Sequence, residues 1–290
     1  NAQSYFAIQT FAAPIVQTQG TAQGFHFDNA TMKPIINNEG WKKAFELYKA
    51  TGQYGPPDEL NMDIGDTRAL FKAGRCGLIV EWGDPGTLQL DDDAKSIRGK
   101  MYAISAVGST EVLDRATGKL VPVSAATAPY AVDGINYAPF AAFGGWAGAV
   151  NKGADAKTKA AAYAFLSYMN QAAQSGVDVT IGATGYNPYR TSQLASTDLW
   201  VKAGMPKALA DNYLGAINGA INNLNMASDM KIPGAQKYTS VVLDTELARY
   251  LAGEITVDEA LANIEEGWEE VTEDFGRDEQ VASQALALGL

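Results

Sequence analysis

Cysteine and histidine are almost absent from this 290-residue chain: Cys76 and His26 each stand alone. A single cysteine excludes an internal disulfide and a thiol metal cluster, and it suits a cytosol and a bacterial periplasm equally. A single histidine leaves little room for triad chemistry. Any such mechanism would run through His26, and no nucleophile motif accompanies Gly24-Phe25-His26-Phe27-Asp28. His26 therefore reads as structural. Positive charge is also scarce, with 22 Lys and Arg against 33 Asp and Glu and a net charge of −11. No basic stripe offsets phosphate repulsion, which argues against nucleic acid or an anionic membrane surface as a partner. No apolar run approaches the ~20 residues needed to span a bilayer. The chain opens on Asn1 with neither methionine nor leader, running straight into Tyr5-Phe6-Ala7-Ile8, and its N-terminus reads as processed or truncated.

What is present is ordinary for a globular protein: 47% hydrophobic and 19% charged residues, enough for one large domain or two medium ones. Residues 5–18 are apolar with scattered Gln and Thr. Asn37 and Asn38 are cap candidates for a helix carrying Trp41, Ala44, Phe45 and Tyr48 at helical spacing. Asp66 is a cap candidate for a second helix ended by Gly74. Cys76–Val80 then reads as a short buried strand running into the loop Glu81-Trp82-Gly83-Asp84-Pro85-Gly86. Asp91-Asp92-Asp93 lacks the ligand alternation and closing Glu of a calcium loop and reads as a solvated acidic loop. Residues 101–107 suggest a further strand, and 112–121 a hairpin turning at Thr117-Gly118. Residues 147–151 suggest another strand, followed by a helix over about 155–171.

From 198 to 223 the pattern is mostly helical, with Trp200 and Tyr213 as packing residues. Helix signals recur over about 236–252, stopped by Gly253. Thr256-Val257-Asp258-Glu259 forms a capping box, and Val257, Leu261, Ile264, Trp268 and Val271 share one face. Residues 277–290 read as a tail or fraying helix. Trp41, Trp200 and Trp268 are assigned to packing. Strands alternating with helices predict an α/β fold.

Two motifs stand apart. Gly144-Gly145-Trp146 places an indole face beside backbone that permits close approach, and Gly185-Tyr186-Asn187-Pro188-Tyr189-Arg190 follows downstream. Such a pairing suits a small-molecule cleft better than a core, which makes ligand capture the leading expectation. The spacing nominates no metal or cofactor site.

Several stretches, in order, carry a resemblance to the family 1 extracellular solute-binding proteins of bacterial ABC importers, the group of maltose- and trehalose-binding proteins. They are Thr31-Met32-Lys33-Pro34 with its following helix, Ala69-Leu70-Phe71-Lys72-Ala73-Gly74-Arg75-Cys76-Gly77 followed by Trp82, Gly144-Gly145-Trp146, Gly185–Arg190, and Gly253–Leu261. The resemblance implies a periplasmic-binding-protein type II fold, with two lobes joined by hinge crossovers and closing on a ligand. The family's opening β-α-β lobe has no counterpart in these residues, so the first lobe is expected to be incomplete. On this basis 1–142 and 185–290 belong to the second lobe and 143–184 to the first. The implied function is capture of a sugar or polyol in an inter-lobe cleft and delivery to a membrane permease, in the periplasm or outside the cell. The missing N-terminal portion is a candidate partner polypeptide.

The residues assigned to that cleft are Trp82 and Trp146 as stacking platforms, Gly144 and Gly145 beside them, Tyr186, and Tyr5, which maps near a family cleft tyrosine. Glu81 and Asp84 are hydroxyl acceptors, with a capped, solvated turn as the alternative. Arg190 is open between an acidic ligand group and a structural salt bridge, and Tyr238 between cleft and core. Two rival readings stay open: a glycoside hydrolase, which needs opposed carboxylates that no spacing nominates, and an interaction module without a small-molecule site.

Overall fold

The computed structural model describes residues 3–143 and 145–290, without the side chain of Ala183. Helices and strands are mixed along the described chain, with helices predominating. The chain groups into two compact units: Asn1–Thr67, Ser105–Ala142 and Gly219–Leu290 form the first, Arg68–Ile104 and Phe143–Asn218 the second. Residues 68–104 and 185–218 thus group with 143–184, which differs from the division read from the sequence.

In the first unit the apolar opening stretch is helix α1 (Ser4–Val16), and α2 (Glu39–Thr51) packs against it. Asn38 caps α2, its side-chain oxygen accepting from the N–H of Gly40 at 2.9 Å and of Trp41 at 3.1 Å. Helix α3 (Ile64–Lys72) begins earlier than Asp66 predicts. The Asp66 N–H donates to Asp63 Oδ1 and the Asp63 N–H to Asp66 Oδ2, so Asp66 is the first-turn half of a reciprocal cap.

Three two-stranded ladders follow. β1 (Gly108–Ser109) pairs antiparallel with β4 (Asn136–Tyr137), and β2 (Glu111–Asp114) with β3 (Lys119–Pro122), while β5 (Phe140–Ala141) pairs parallel with β6 (Ala227–Ser228). The β2–β3 hairpin turns where Thr117-Gly118 predicts it. Asp114 accepts from Ala116 N–H and Thr117 Oγ1, and Gly118 supplies the left-handed φ of +70°.

The second unit holds α4 (Ala156–Met169), α5 (Ala172–Asp178), α6 (Thr191–Leu194), α7 (Asp198–Lys202) and most of α8 (Lys207–Ile221). The helix expected over 198–223 is split because Gly204, at φ +104°, and Pro206 stop α7. No ladder strand lies in this unit among the described residues. Cys76–Val80, 101–107 and 147–151, all read as strands, form no ladder; Gly77 and Ser105 are bends, and the N–H and C=O of Ala103 meet the Asn212 side chain. Cys76–Val80 is not buried either.

The C-terminal part belongs to the first unit. A π-helical turn, Lys237–Leu243, leads into α9 (Asp244–Ala252), then α10 (Val257–Phe275) and α11 (Arg277–Leu288). The Thr256/Glu259 capping box forms as read. The expected tail is a docked helix: Gln280 is buried and donates to Pro233 O at 2.9 Å.

The core of the first unit is aromatic. Trp41, Phe27, Phe45, Tyr238 and Trp268 are fully buried, and Trp268 Nε1 donates to Tyr238 O at 2.8 Å. His26 lies among them, its ring edge-on to Phe25 and Trp268. Its Nε2 meets Gln9 Oε1, an atom that can only accept, so Nε2 carries the proton. Burial lowers its pKa from 6.5 to about 3, which keeps it neutral and structural.

Beside this core, two buried amides tie the unit's chain segments together. Asn136 Nδ2 donates to Pro14 O at 2.7 Å and Gln17 O at 2.9 Å. Asn225 Nδ2 donates to Gln17 O at 2.7 Å and Asn136 Oδ1 at 3.0 Å, and its oxygen accepts the Gly20 N–H at 2.9 Å.

Two predictions follow from these contacts. Asn225→Leu strands Asn136 Oδ1 and the Gly20 N–H in the interior, at ~1–3 kcal/mol per stranded group. Chemical denaturation should show a loss of about 3 kcal/mol, whereas Leu224→Ala at the exposed neighbour should stay within about 0.5 kcal/mol. The second concerns pH. Between pH 6.5 and about 3 the unfolded chain binds a proton at His26 that the folded chain does not, so stability falls as pH falls through that window. Asp244, pushed up to about 6 chiefly by burial, acts oppositely, since its contribution to stability is lost as pH rises from 3.8 to about 6. Thermal melts at pH 7 and pH 5 should show His26→Asn losing about 2 kcal/mol less stability on acidification than the unsubstituted protein.

Candidate functional site

The second unit contains a buried charge cluster built from α3 and the loop after the Cys76–Val80 segment. Arg68 Nε and Nη2 donate to Glu81 Oε1 and Oε2, each at 2.8 Å. Arg68 Nη1 lies 2.9 Å from Asp84 Oδ2, an ion pair off the hydrogen-bond axis. Glu81 Oε2 also accepts the Trp82 backbone N–H at 3.0 Å. All three charged side chains are largely withdrawn from water. Burial raises the Glu81 and Asp84 pKa values, with Arg68 opposing it. Burial alone would lower the pKa of Arg68, but Glu81 and Asp84 outweigh it and hold the guanidinium above its ordinary value. One cation against two carboxylates leaves the cluster net negative.

Both oxygens of Glu81 are committed within the protein, and Asp84 is buried beneath the loop. Neither the hydroxyl-acceptor reading nor the solvated turn describes this arrangement. It clamps the loop that carries Trp82, which is half-buried.

Two glycines let that loop seat. A Cβ on Gly83 would lie 2.5 Å from Asn187 Oδ1, and one on Gly86 only 2.2 Å from the Tyr213 ring. The loop therefore packs against the 185–190 segment and against α8. Asn187 Oδ1 and Tyr213 Oη are buried without a hydrogen-bond partner among the described residues. Burial, and after it the charge of Asp84, push the Tyr213 hydroxyl pKa up, so it stays protonated.

Trp146 presents a different environment. It is 71% exposed, with its ring edge-on to Phe143 at 5.0 Å between centroids. Gly145 precedes it at φ +105° and Phe143 stands at +72°, so the backbone turns sharply just before the indole. Gly144 lies outside the described residues. Tyr186 is half-buried against the Val179, Trp200 and Leu209 cluster, just after Gly185 at φ +71°. Arg190 Nε donates to Ser175 Oγ at 3.1 Å, its Nη2 donates to the Asn170 carbonyl, and its guanidinium lies over the Tyr189 ring. These contacts join the loop to α5.

Tyr5 and Tyr238 are in the first unit. Tyr5 is buried, and its N–H donates to Asp244 Oδ1 at 3.1 Å. Tyr238 is fully buried, with its hydroxyl meeting Thr272 Oγ1 at 2.9 Å and accepting from Gln280 Nε2 at 3.1 Å. Its ring and hydroxyl are both used by the core, which corrects the cleft assignment in favour of packing.

The structure thus brings Glu81, Trp82 and Asp84 together in one loop beside Asn187, and pairs Trp146 with Phe143. Sequence reasoning missed Arg68 and Asn187. Two acidic residues three apart around a tryptophan called for a counter-ion, but Arg68, Lys72 and Arg75 all stand upstream and the sequence does not choose among them. Among the described residues no group of His, Cys, Asp or Glu is placed to hold a metal, and no helix is long and apolar enough to cross a membrane. A cavity of about 20 Å³ lined by Gln23, Phe25 and His26 holds no more than a water molecule.

No protein-family model matches the chain, and no curated protein matches it. Among solved structures the chain is similar to the crystal structure of a "putative oligosaccharide periplasmic-binding protein" from Synechococcus sp. MITs9220, at 12% identity and a TM-score of 0.47. The match covers 94% of this chain but only 66% of that one. A TM-score below one half does not establish a common fold.

The geometry of the loop predicts opposite outcomes for two substitutions. Gly86→Ala drives a methyl into the Tyr213 ring and should cost about 1–3 kcal/mol in chemical denaturation. Tyr213→Phe removes a buried hydroxyl that has no partner, and should leave stability unchanged or raise it by up to about 1 kcal/mol.

Proposed function

We propose that this chain is the larger part of a solute-binding protein that captures a neutral sugar or polyol and delivers it to an ABC importer outside the cytoplasmic membrane. The observation that carries the proposal is Trp146: a large indole face left open to solvent, set by a left-handed glycine turn and braced by Phe143. A sugar ring offers an apolar C–H face to such a surface and hydroxyls at its rim. The segment 143–150 carries no charged side chain, which suits a neutral ligand. The ordered motifs from Thr31 to Leu261, with their resemblance to family 1 solute-binding proteins, support the same reading. Glycoside hydrolysis gains no support from Glu81 and Asp84. Hydrolysis needs two carboxylates free to exchange protons with substrate and water, and this pair shares one guanidinium.

Titration of intrinsic fluorescence with a panel of mono- and oligosaccharides and polyols tests the proposal. Saturable quenching without turnover of a chromogenic glycoside is expected. Trp146→Ala should weaken binding at least tenfold while leaving the thermal midpoint within a few degrees, because the side chain supports no core. Absence of saturable binding across the panel, or affinity unchanged in Trp146→Ala, sinks the proposal.

A further inference from the structure

Two dipeptides in this chain share one intrinsic reactivity, and the structure separates them. Asp133-Gly134 is its single Asp-Gly pair and Asn218-Gly219 its single Asn-Gly pair. In both, the nitrogen of the following residue can attack the side-chain carbonyl carbon, and glycine has no side chain to obstruct it. By sequence alone Asn218 reacts first. At neutral pH the carboxyl of Asp is ionised, and a carboxylate resists nucleophiles more than an amide does.

The fold reverses that order. Asn218 lies in helix α8, and its Nδ2 donates to Leu194 O at 3.2 Å. The N–H of Gly219 runs along the helix toward a carbonyl one turn earlier. Attack would require that amide to turn out of the helix and the Asn218 side chain to be released. Asp133 and Gly134 are under no such restraint. They are the central residues of a hairpin turn, at φ +52° and +76°, the left-handed pair of a type I′ turn. Val132 and Ile135 close it, the N–H of each donating to the carbonyl of the other at 2.9 Å. Asp133 and Gly134 are both exposed. Among the described residues the Gly134 N–H makes no backbone hydrogen bond, and the Asp133 carboxylate has no hydrogen-bond or ion-pair partner. Two bonds at a solvated tip are all that must open for the backbone to rotate into line for attack.

We propose that Asp133 is a site of spontaneous isomerisation, at which the Gly134 amide nitrogen captures the side-chain carboxyl and leaves an isoaspartyl linkage. A bond forms from Gly134 N to Asp133 Cγ. The hydroxyl of the carboxyl group departs with the amide hydrogen as water, leaving a five-membered succinimide. Solvent water then opens the ring. Attack at Cγ returns aspartate, and attack at the main-chain carbonyl carbon leaves the chain running through the side chain. Nothing is oxidised or reduced, and the product has the mass of the starting chain.

The position makes the change consequential. An isoaspartyl linkage adds one carbon to the main chain between Val132 and Ile135, and the two bonds that close the turn lose their register. Ile135 is seated tightly: a Cβ on Gly108 would lie 2.3 Å from its side chain. The next residue, Asn136, pairs with Ser109 and sends its amide to Pro14 O and Gln17 O. A displaced turn pulls on the residue that joins chain segments of the first unit. None of this depends on the ligand assigned to Trp146.

Peptide mapping of the aged protein is the test. The folded protein and the same protein in denaturant are kept side by side in warm neutral buffer, then digested. Fragmentation by electron transfer distinguishes isoaspartate from aspartate. In the folded protein isoaspartate is expected at 133 above every other Asp, with Asn218 intact. In denaturant the order inverts, and Asn218 is lost first. Asp133→Asn suits the same turn and should convert faster, with ammonia leaving in place of the first water. Asp133→Glu, which would need a six-membered ring, should show no conversion. The isomerised fraction should melt at a lower temperature than the unmodified one. Aspartate intact at 133 in the aged folded protein, Asn218 reacting ahead of it there, or conversion in Asp133→Glu would each overturn the proposal. An isomerised fraction that melts unchanged would overturn the link to Asn136.

Discussion

The first unit depends on satisfying polar groups where its chain segments meet. Helix α1 ends inside the protein, and its last carbonyls have no helical partner. Water does not reach them. Asn136, from the second chain segment of the unit, takes up Pro14 O and Gln17 O, and Asn225, from the third, takes up Gln17 O and the Gly20 N–H. The two asparagines also bond to each other. Three stretches far apart in sequence are therefore fixed at one point by groups that cannot be left unpaired. The aromatic core around Trp41 and Trp268 adds burial energy but little direction, and the amide network supplies the geometry that burial lacks.

The second unit solves a harder problem with fewer means. Its apolar clusters are small, and its loop 81–86 is held by a guanidinium shared between two carboxylates. An ion cluster of this kind adds little net stability, because desolvation offsets most of the Coulomb attraction. What it does is fix geometry: Glu81 has no free oxygen, so the loop has one seat. Gly83 and Gly86 make that seat sterically available, against Asn187 and Tyr213. The same unit leaves Leu78, Tyr102 and Ile104, and Tyr163 and Phe165 of α4, exposed.

Local signals carried much of the helical architecture. Asn38 and Thr256 cap helices where the residues predict, Gly118 turns the hairpin, and Gly253 stops α9. Trp41, Trp200 and Trp268 are packing residues for the periodic reason given from sequence. These features depend on interactions within a few residues, which one stretch of chain contains entire. The departures have non-local causes. Cys76–Val80 has the composition of a buried strand, but a ladder needs a second strand, and composition does not report whether one is present. Tyr238 fitted cleft and core equally well because a tyrosine is amphipathic. Thr272 and Gln280, distant in sequence, take its hydroxyl.

The site divides along the same line. That Trp146 follows glycine, that Glu81 and Asp84 flank Trp82, and that positive charge is scarce are properties of the sequence by itself. They determine which chemical groups are on offer. Only the tertiary structure decided what those groups do: Trp146 faces solvent, Arg68 occupies both carboxylates, and Arg190 is spent on Ser175 and Asn170. The physical reason is that a side chain's role follows from which partners desolvate and pair with it, and those partners come from parts of the chain that no local pattern connects.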